Sequence, residues 1–176
     1  ASNVLGTFNN IEAISKITHK YNSRLFVDGA QLTAHRSINI DYAGVDYFAF
    51  SGHKIYAPFG TGALMIRKEF VKADADELEL IKSSGEENIV GIAAIGKAIS
   101  IMQRIGIDTI EENEKKLIKK LLKSISEMQD LEFFGIKDWE IEKLYQRAGV
   151  ISFCMKGIPH NQAAKYLSEK SAIGVR

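Results

Sequence analysis

Five polar residues stand just beyond two short apolar runs. Leu25-Phe26-Val27 stops at Asp28-Gly29, with Gln31 close behind, and Asp46 to Phe50 stops at Ser51-Gly52-His53-Lys54. Read as strands of an α/β sheet, these runs carry the polar residues to their carboxyl ends, where open α/β sheets bind ligands. Two adjacent strand ends then offer one crevice a carboxylate, an amide, a hydroxyl, an imidazole and an amine. That set suits pyridoxal 5′-phosphate, which is held as a Schiff base to a lysine with an acidic partner on its pyridinium nitrogen. Asp28 would keep the ring nitrogen protonated, so that the ring accepts carbanion electrons. Ser51 and His53 would bond the phosphate. Lys54 must lose its proton to act as a nucleophile, and a neighbouring cationic pyridinium favours that. Taken singly, each residue has an ordinary reading. Asp-Gly after a strand is a turn, and a lysine near a strand end is a surface residue. Gly60-Thr61-Gly62 is too short for a phosphate loop and lacks the Walker spacing. The joint pattern carries the chemistry.

The elements that position these residues follow from periodicity. Ile11, Ile14, Ile17, Thr18 and Tyr21 recur at helical spacing and predict an amphipathic helix over 10–21. Ala63 to Ile66 is a third strand, opened by Gly60-Thr61-Gly62 and closed by Arg67-Lys68. Continuous apolar strands predict a sheet covered on both faces. The connections are too short for a full helix in each crossover, so part of the sheet is expected to be missing. Beyond residue 88, Ile92, Ile95, Ile99, Met102 and Ile105 form an apolar stripe on a helix ending near Gly106. Gly91 and Gly96 weaken that helix by about 1 kcal/mol each relative to Ala. Thr109 and Glu112 have capping-box spacing at the start of the next helix. Leu117, Leu121, Ile125 and Met128 are expected on its buried face, with the Lys-rich run facing solvent. Leu131 to Phe134 and Val150 to Met155 read as strands, and Asn161 to Lys170 as a last helix. Residues 1–85 therefore read as part of a large α/β domain. Residues 86–176 read as a linker helix and most of a smaller α+β domain.

The chain has 176 residues, 45% hydrophobic and 26% charged, with a net charge of +1. This is an ordinary globular composition, with no basic excess to argue for nucleic acid. No apolar run reaches the roughly 18 residues of a membrane helix. The single cysteine, Cys154, excludes an internal disulfide framework and a multi-cysteine zinc site, and no metal is expected. It fits a reducing compartment, and a cytoplasmic location is expected. Its apolar neighbours make it a small core residue. Of the other histidines, His19 is expected at the surface, His35 in a structural hydrogen bond and His160 near a helix start. The first residue is not Met and the chain stops at Gly174-Val175-Arg176, so it reads as an internal piece of a longer protein.

Three segments together resemble the class V aminotransferases, which are fold-type-I pyridoxal-phosphate enzymes. They are Val27-Asp28-Gly29-Ala30-Gln31, the run from Asp46 through Ser51-Gly52-His53-Lys54 to Pro58, and Gly60-Thr61-Gly62-Ala63-Leu64. Within that family the likeness is to cysteine desulfurases and selenocysteine lyases. Ser2 to Thr7 resembles the segment before the Asp strand. Ser84-Gly85-Glu86-Glu87-Asn88 with Gly91-Ile92 resembles the linker into the small domain. The likeness covers essentially the whole chain. It implies that Lys54 is the Schiff-base lysine and the proton shuttle at the substrate α-carbon. It implies that Asp28 pairs with the pyridine nitrogen, that Gln31 bonds the ring hydroxyl, and that Ser51 and His53 hold the phosphate. Asn3 would lie near the ring and the substrate carboxylate, and Arg176 in a stretch that approaches the active site.

The resemblance also marks departures. The family's nucleophilic cysteine lies on a loop just after the position of Arg176, and its ring-stacking residue lies before Ala1. Cys154 does not replace that nucleophile. Glu86 stands where the family commonly has a Thr that contacts the partner subunit's phosphate, and a carboxylate there would repel it. The reading is a fragment of a desulfurase-like enzyme that converts cysteine to alanine, with this 176-residue chain itself inactive. A homodimer and a sulfur-acceptor protein are the expected partners. Two alternatives stay open: another class V transamination or lyase reaction, and a non-catalytic protein that kept the fold.

Overall fold

The computed structural model describes residues 1–72, 74–83, 88–138 and 140–176, without the side chains of residues 81, 82 and 141. Ser84 to Glu87, and with them the Glu86 expectation, lie outside the described residues. The chain forms two compact units, one of Ala1 and Asn9–Glu112, the other of Ser2–Phe8 and Asn113–Arg176.

In the first unit, helix α1 (Ile11–Lys20) begins where the Asn10 side chain accepts from Ala13 N–H at 3.0 Å, the usual use of Asn as an N-cap. The apolar stripe expected to be buried instead faces outward. Ile14, Ile17 and Tyr21 are exposed, and the buried helix residue is Ser15. Ser15 donates to the Gly44 carbonyl at 2.8 Å, and a Cβ at Gly44 would clash with its hydroxyl. Periodicity marks an apolar face, but a close backbone approach at Gly44 decides which face packs.

Strands β1 (Phe26–Asp28) and β2 (Tyr47–Ser51) run parallel, pairing Asp28 with Ala49. β3 (Gly62–Ile66) lies antiparallel to β2, giving the order β1-β2-β3. A parallel pair needs a connection of a dozen or more residues. Here it carries only a 3-10 turn, Leu32–Ala34. The cover expected on both faces does not reach β3, every residue of which is exposed, whereas β2 is partly to fully buried. Helices α2 (Ala75–Ser83) and α3 (Ile89–Ile105) follow. α3 is capped by Asn88, which accepts from Gly91 N–H at 2.9 Å, and it ends at Gly106 with φ +89°. The core joins Ile55 and Ala57 to Ile95, Ala98 and Met102 of α3. Ile92, Ile99 and Ile105 of the expected stripe stay exposed.

Asp46 is buried at the start of β2. It accepts from Leu25 N–H at 2.7 Å and His19 Nε2 at 2.8 Å, with Arg67 Nε at 3.5 Å. His19 is exposed, as expected, and its ring ties α1 to Asp46 just ahead of β2. Burial by itself would raise the Asp46 pKa. The Leu25 bond, the His19 bond and the His19 and Arg67 charges outweigh burial and hold it below the usual carboxylate value.

Helix α4 (Ile107–Ser126) starts right after Gly106. Thr109 therefore lies inside the first turn, with its N–H on the Gly106 carbonyl at 3.1 Å, and is not the cap that the spacing predicted. Within the second unit the buried face of α4 is also shifted. Ile118 and Leu122 pack on Leu144, while Leu117, Leu121 and Met128 are exposed. Both rows are apolar at helical spacing, and the packing partner selects between them. Lys115, assigned by charge to the solvent face, is buried with its ammonium 3.1 Å from the Tyr145 ring centroid, a cation–π contact.

Strands β4 (Leu131–Phe134) and β5 (Ser152–Met155) form an antiparallel pair, accompanied by α5 (Ile141–Leu144) and α6 (His160–Ser171). Cys154 is exposed, which corrects the core reading. It pairs across the ladder with Glu132, also exposed, while Phe133 and Phe153 sit on the covered face. Alternation along the strand, and not the apolar character of its neighbours, sets its side. Arg147 is buried and donates to the carbonyls of Ile136 and Val150. Burial lowers its pKa, and the Glu114 charge opposes that. Backbone bonds from Phe8 to Gln146 at 2.9 Å and from Ala148 to Gly6 at 2.7 Å seat Ser2–Phe8 in this unit.

Candidate functional site

Because β1 and β2 are parallel, their carboxyl ends fall on one edge of the sheet, and Asp28 and Ser51 lie at those ends. Asp28 is exposed. Its Oδ1 accepts from Ala30 N–H at 2.9 Å, which turns the chain sharply away from the strand. Gly29 donates to the Ala49 carbonyl at 2.7 Å, and a Cβ at Gly29 would overlap the Phe48 ring. Only glycine lets the backbone leave β1 this close to β2. Thr33 closes the turn by donating its hydroxyl to the Gly29 carbonyl at 2.7 Å.

At the end of β2 the backbone passes from extended Ser51 into a 3-10 turn, Gly52–Ile55. Ile55 is buried and pins the turn to α3, while Gly52 donates to the Thr61 carbonyl at 2.8 Å. The turn closes on Tyr56 in the left-handed region, φ +71°. His53 and Lys54 are consecutive residues of this turn and so point apart. His53 is exposed and stacks on Phe59 with centroids 4.8 Å apart. Lys54 is half-buried, and its ammonium donates to Gln31 Oε1 at 2.7 Å. The Gln31 amide nitrogen lies 2.7 Å from His35 Nε2.

The structure thus joins Lys54 directly to Gln31 and sets Asp28 and Ser51 on the same sheet edge. Asn3 and Arg176 belong to the second unit, and both are exposed. The stack of Phe59 on His53 was not anticipated. Its signal in the sequence was an aromatic residue just past Pro58, inside the loop that returns to β3. The donor set fits pyridoxal phosphate. It has a carboxylate for a pyridinium nitrogen, an amide for a ring hydroxyl, a hydroxyl and an imidazole for a phosphate, and an amine for the aldehyde.

The first unit is an α/β sheet that carries a lysine, an acid and an amide at the ends of two adjacent parallel strands. The model of the aminotransferase class-V family matches residues 1–176, and the chain belongs to that family of pyridoxal-phosphate-dependent enzymes. A probable cysteine desulfurase of Borreliella burgdorferi is 33% identical over 94% of this chain and 43% of its own length. A cysteine desulfurase of Wigglesworthia glossinidia brevipalpis is 32% identical over 99% of this chain and 46% of its own length. Among solved structures, the apo cysteine desulfurase of Thermococcus onnurineus NA1 matches with a TM-score of 0.86 and 30% identity, covering all of this chain and 47% of that one. An alanine–glyoxylate aminotransferase of Nostoc sp. shares the fold, with a TM-score of 0.76 at 15% identity, over 99% of this chain and 50% of that one. The chain spans about half the length of these relatives.

Proposed function

We propose that this chain holds pyridoxal 5′-phosphate at the strand ends of its first unit and serves a cysteine desulfurase or selenocysteine lyase, removing sulfur or selenium to leave alanine. The observation that carries the reading is the 2.7 Å bond between Lys54 Nζ and Gln31 Oε1, three positions after Asp28 in the chain. It joins the amine to the amide, on the sheet edge where Asp28 ends β1, and the named desulfurase relatives supply the substrate class. When bound, the cofactor supplies an electron sink for charge developing at the substrate α-carbon.

The protein's part is positioning, electrostatics and proton movement. Asp28 holds a proton on the ring nitrogen by charge. Ser51 and His53 hold the phosphate, with Phe59 limiting rotation of the His53 ring. Lys54 Nζ would be the point of covalent attachment, and as a free amine it would carry the proton at the substrate α-carbon. Asn3 and Arg176 are proposed to bind substrate. A homodimer in the cytoplasm, with a protein sulfur acceptor, completes the reading.

The test is borohydride reduction of the intact enzyme with pyridoxal phosphate, followed by peptide mapping. The expected result is a pyridoxyl adduct on Lys54 that Lys54→Ala abolishes while circular dichroism stays unchanged. A folded intact enzyme saturated with pyridoxal phosphate that gives no adduct would refute the reading and favour a non-catalytic protein that kept the fold. Alanine formed on adding cysteine or selenocysteine to the enzyme identifies the substrate. An amino-group transfer product in its place points to another class V reaction.

A further inference from the structure

We infer that His35 is a positioning residue that sets the direction of the Gln31 amide and, through it, holds Lys54. This rests on the reading of Lys54 as the cofactor lysine. Gln31 and His35 flank the single 3-10 turn Leu32–Ala34 as its two caps, which brings Gln31 Nε2 to 2.7 Å from His35 Nε2. On its other side, Gln31 Oε1 lies 2.7 Å from Lys54 Nζ.

Hydrogen-bond chemistry orders this chain of three. A lysine ammonium has three donors and no acceptor, so the amide atom facing it must be the carbonyl oxygen. The amide NH2 then faces His35 and can only donate. His35 Nε2 must therefore be the unprotonated acceptor, and the ring proton must sit on Nδ1. With His35 in the opposite tautomer, two N–H groups would face each other. Gln31 would relieve this by turning over, presenting its NH2 to Lys54. That arrangement suits a neutral amine and opposes an ammonium. The histidine tautomer and the lysine are thus coupled through one amide. The backbone holds the turn in place, since Leu32 is buried and its carbonyl accepts from His35 N–H at 3.0 Å and Arg36 N–H at 2.9 Å.

Two-bond proton–nitrogen correlation spectra of the cofactor-free chain, labelled at its 4 histidines and assigned with His35→Gln, read the tautomer directly. The expected result is an unprotonated Nε2 on His35. In Lys54→Met the donor that fixes the amide is gone, and the ratio of Nε2–H to Nδ1–H forms of His35 should rise about threefold or more, the weight of one hydrogen bond. A protonated Nε2 in the wild type, or an unchanged ratio in Lys54→Met, overturns the inference.

A second readout uses pyridoxal phosphate itself, below saturation and trapped by borohydride. His35→Leu frees Gln31 and lets the flexible Lys54 side chain disperse, so capture on Lys54 should fall about three- to tenfold. His35→Gln, whose Oε1 can take the place of Nε2 as acceptor, should restore it. Unchanged or faster capture in His35→Leu overturns the inference. A wild-type chain that captures no cofactor sinks the functional proposal alone, and the tautomer spectra still decide the role of His35.

Discussion

At the scale of single residues, two side chains behave differently from what their types suggest. Cys154 is exposed because β5 turns it away from the Phe133–Phe153 side of the ladder. It should therefore react fully with a disulfide-type thiol reagent in native buffer, at a rate that denaturant raises less than about tenfold, since access and thiolate fraction govern such reactions. Protection until unfolding would restore the core reading. Asp46 shows the opposite behaviour, as a carboxylate kept charged inside the fold by a backbone N–H and two basic side chains. Its folded pKa lies below its unfolded value, which is near 3.9. The stability it contributes is thus present above about pH 4 and is lost as pH falls through the lower folded value. Asp46→Asn should cost about 1–3 kcal/mol at pH 7 and flatten the acid limb of stability against pH. An acid limb identical to that of the wild type in urea melts would show that other carboxylates set it.

At the scale of elements, α3 contains two glycines that propensity treats alike and packing separates. A Cβ at Gly91 would overlap the Thr61 methyl, whereas one at Gly96 would meet nothing within 4 Å. Gly96→Ala should stabilise the chain by about 0.5–1 kcal/mol, the ordinary helix gain. Gly91→Ala should destabilise it by about 1–3 kcal/mol, because the overlap outweighs that gain. Chemical denaturation of the two variants checks both signs. The same contrast explains the shifted face of α4. The row of Leu117, Leu121 and Met128 and the row of Ile118, Leu122 and Ile125 lie about 100° apart and are equally apolar. Leu144, brought over by α5, makes the second row the core. Helix existence was legible because periodicity is local. Helix rotation was not, because it depends on a residue more than 20 positions away.

At the scale of the molecule, much apolar surface stays exposed. All of β3 is open, and Ile17 and Tyr21 on α1 are 62% and 71% exposed. Large open apolar patches mark association surfaces, and a net charge of +1 gives little repulsion to oppose contact. The apparent mass in sedimentation should rise with protein concentration, and sulfate should strengthen association by favouring apolar burial. Leu64→Lys on β3 should weaken it. Association that salt weakens would point to charge pairing as its cause.

The linear sequence by itself determined where the candidate polar groups stand. A strand that ends in Asp28-Gly29 and another that ends in Ser51-Gly52-His53-Lys54 place their groups through backbone periodicity and turn chemistry, which are local. It also determined the positions of α1, α3, α4 and α6, whereas α2, α5 and the need for glycine against the Phe48 ring came only from the structure. Tertiary structure alone decided that Gln31 faces both Lys54 and His35, that Phe59 stacks on His53, that the exposed His19 bonds the buried Asp46, and that Cys154 is open. Each of these depends on the direction of a hydrogen bond or the side of a packed face, which a local residue pattern does not specify.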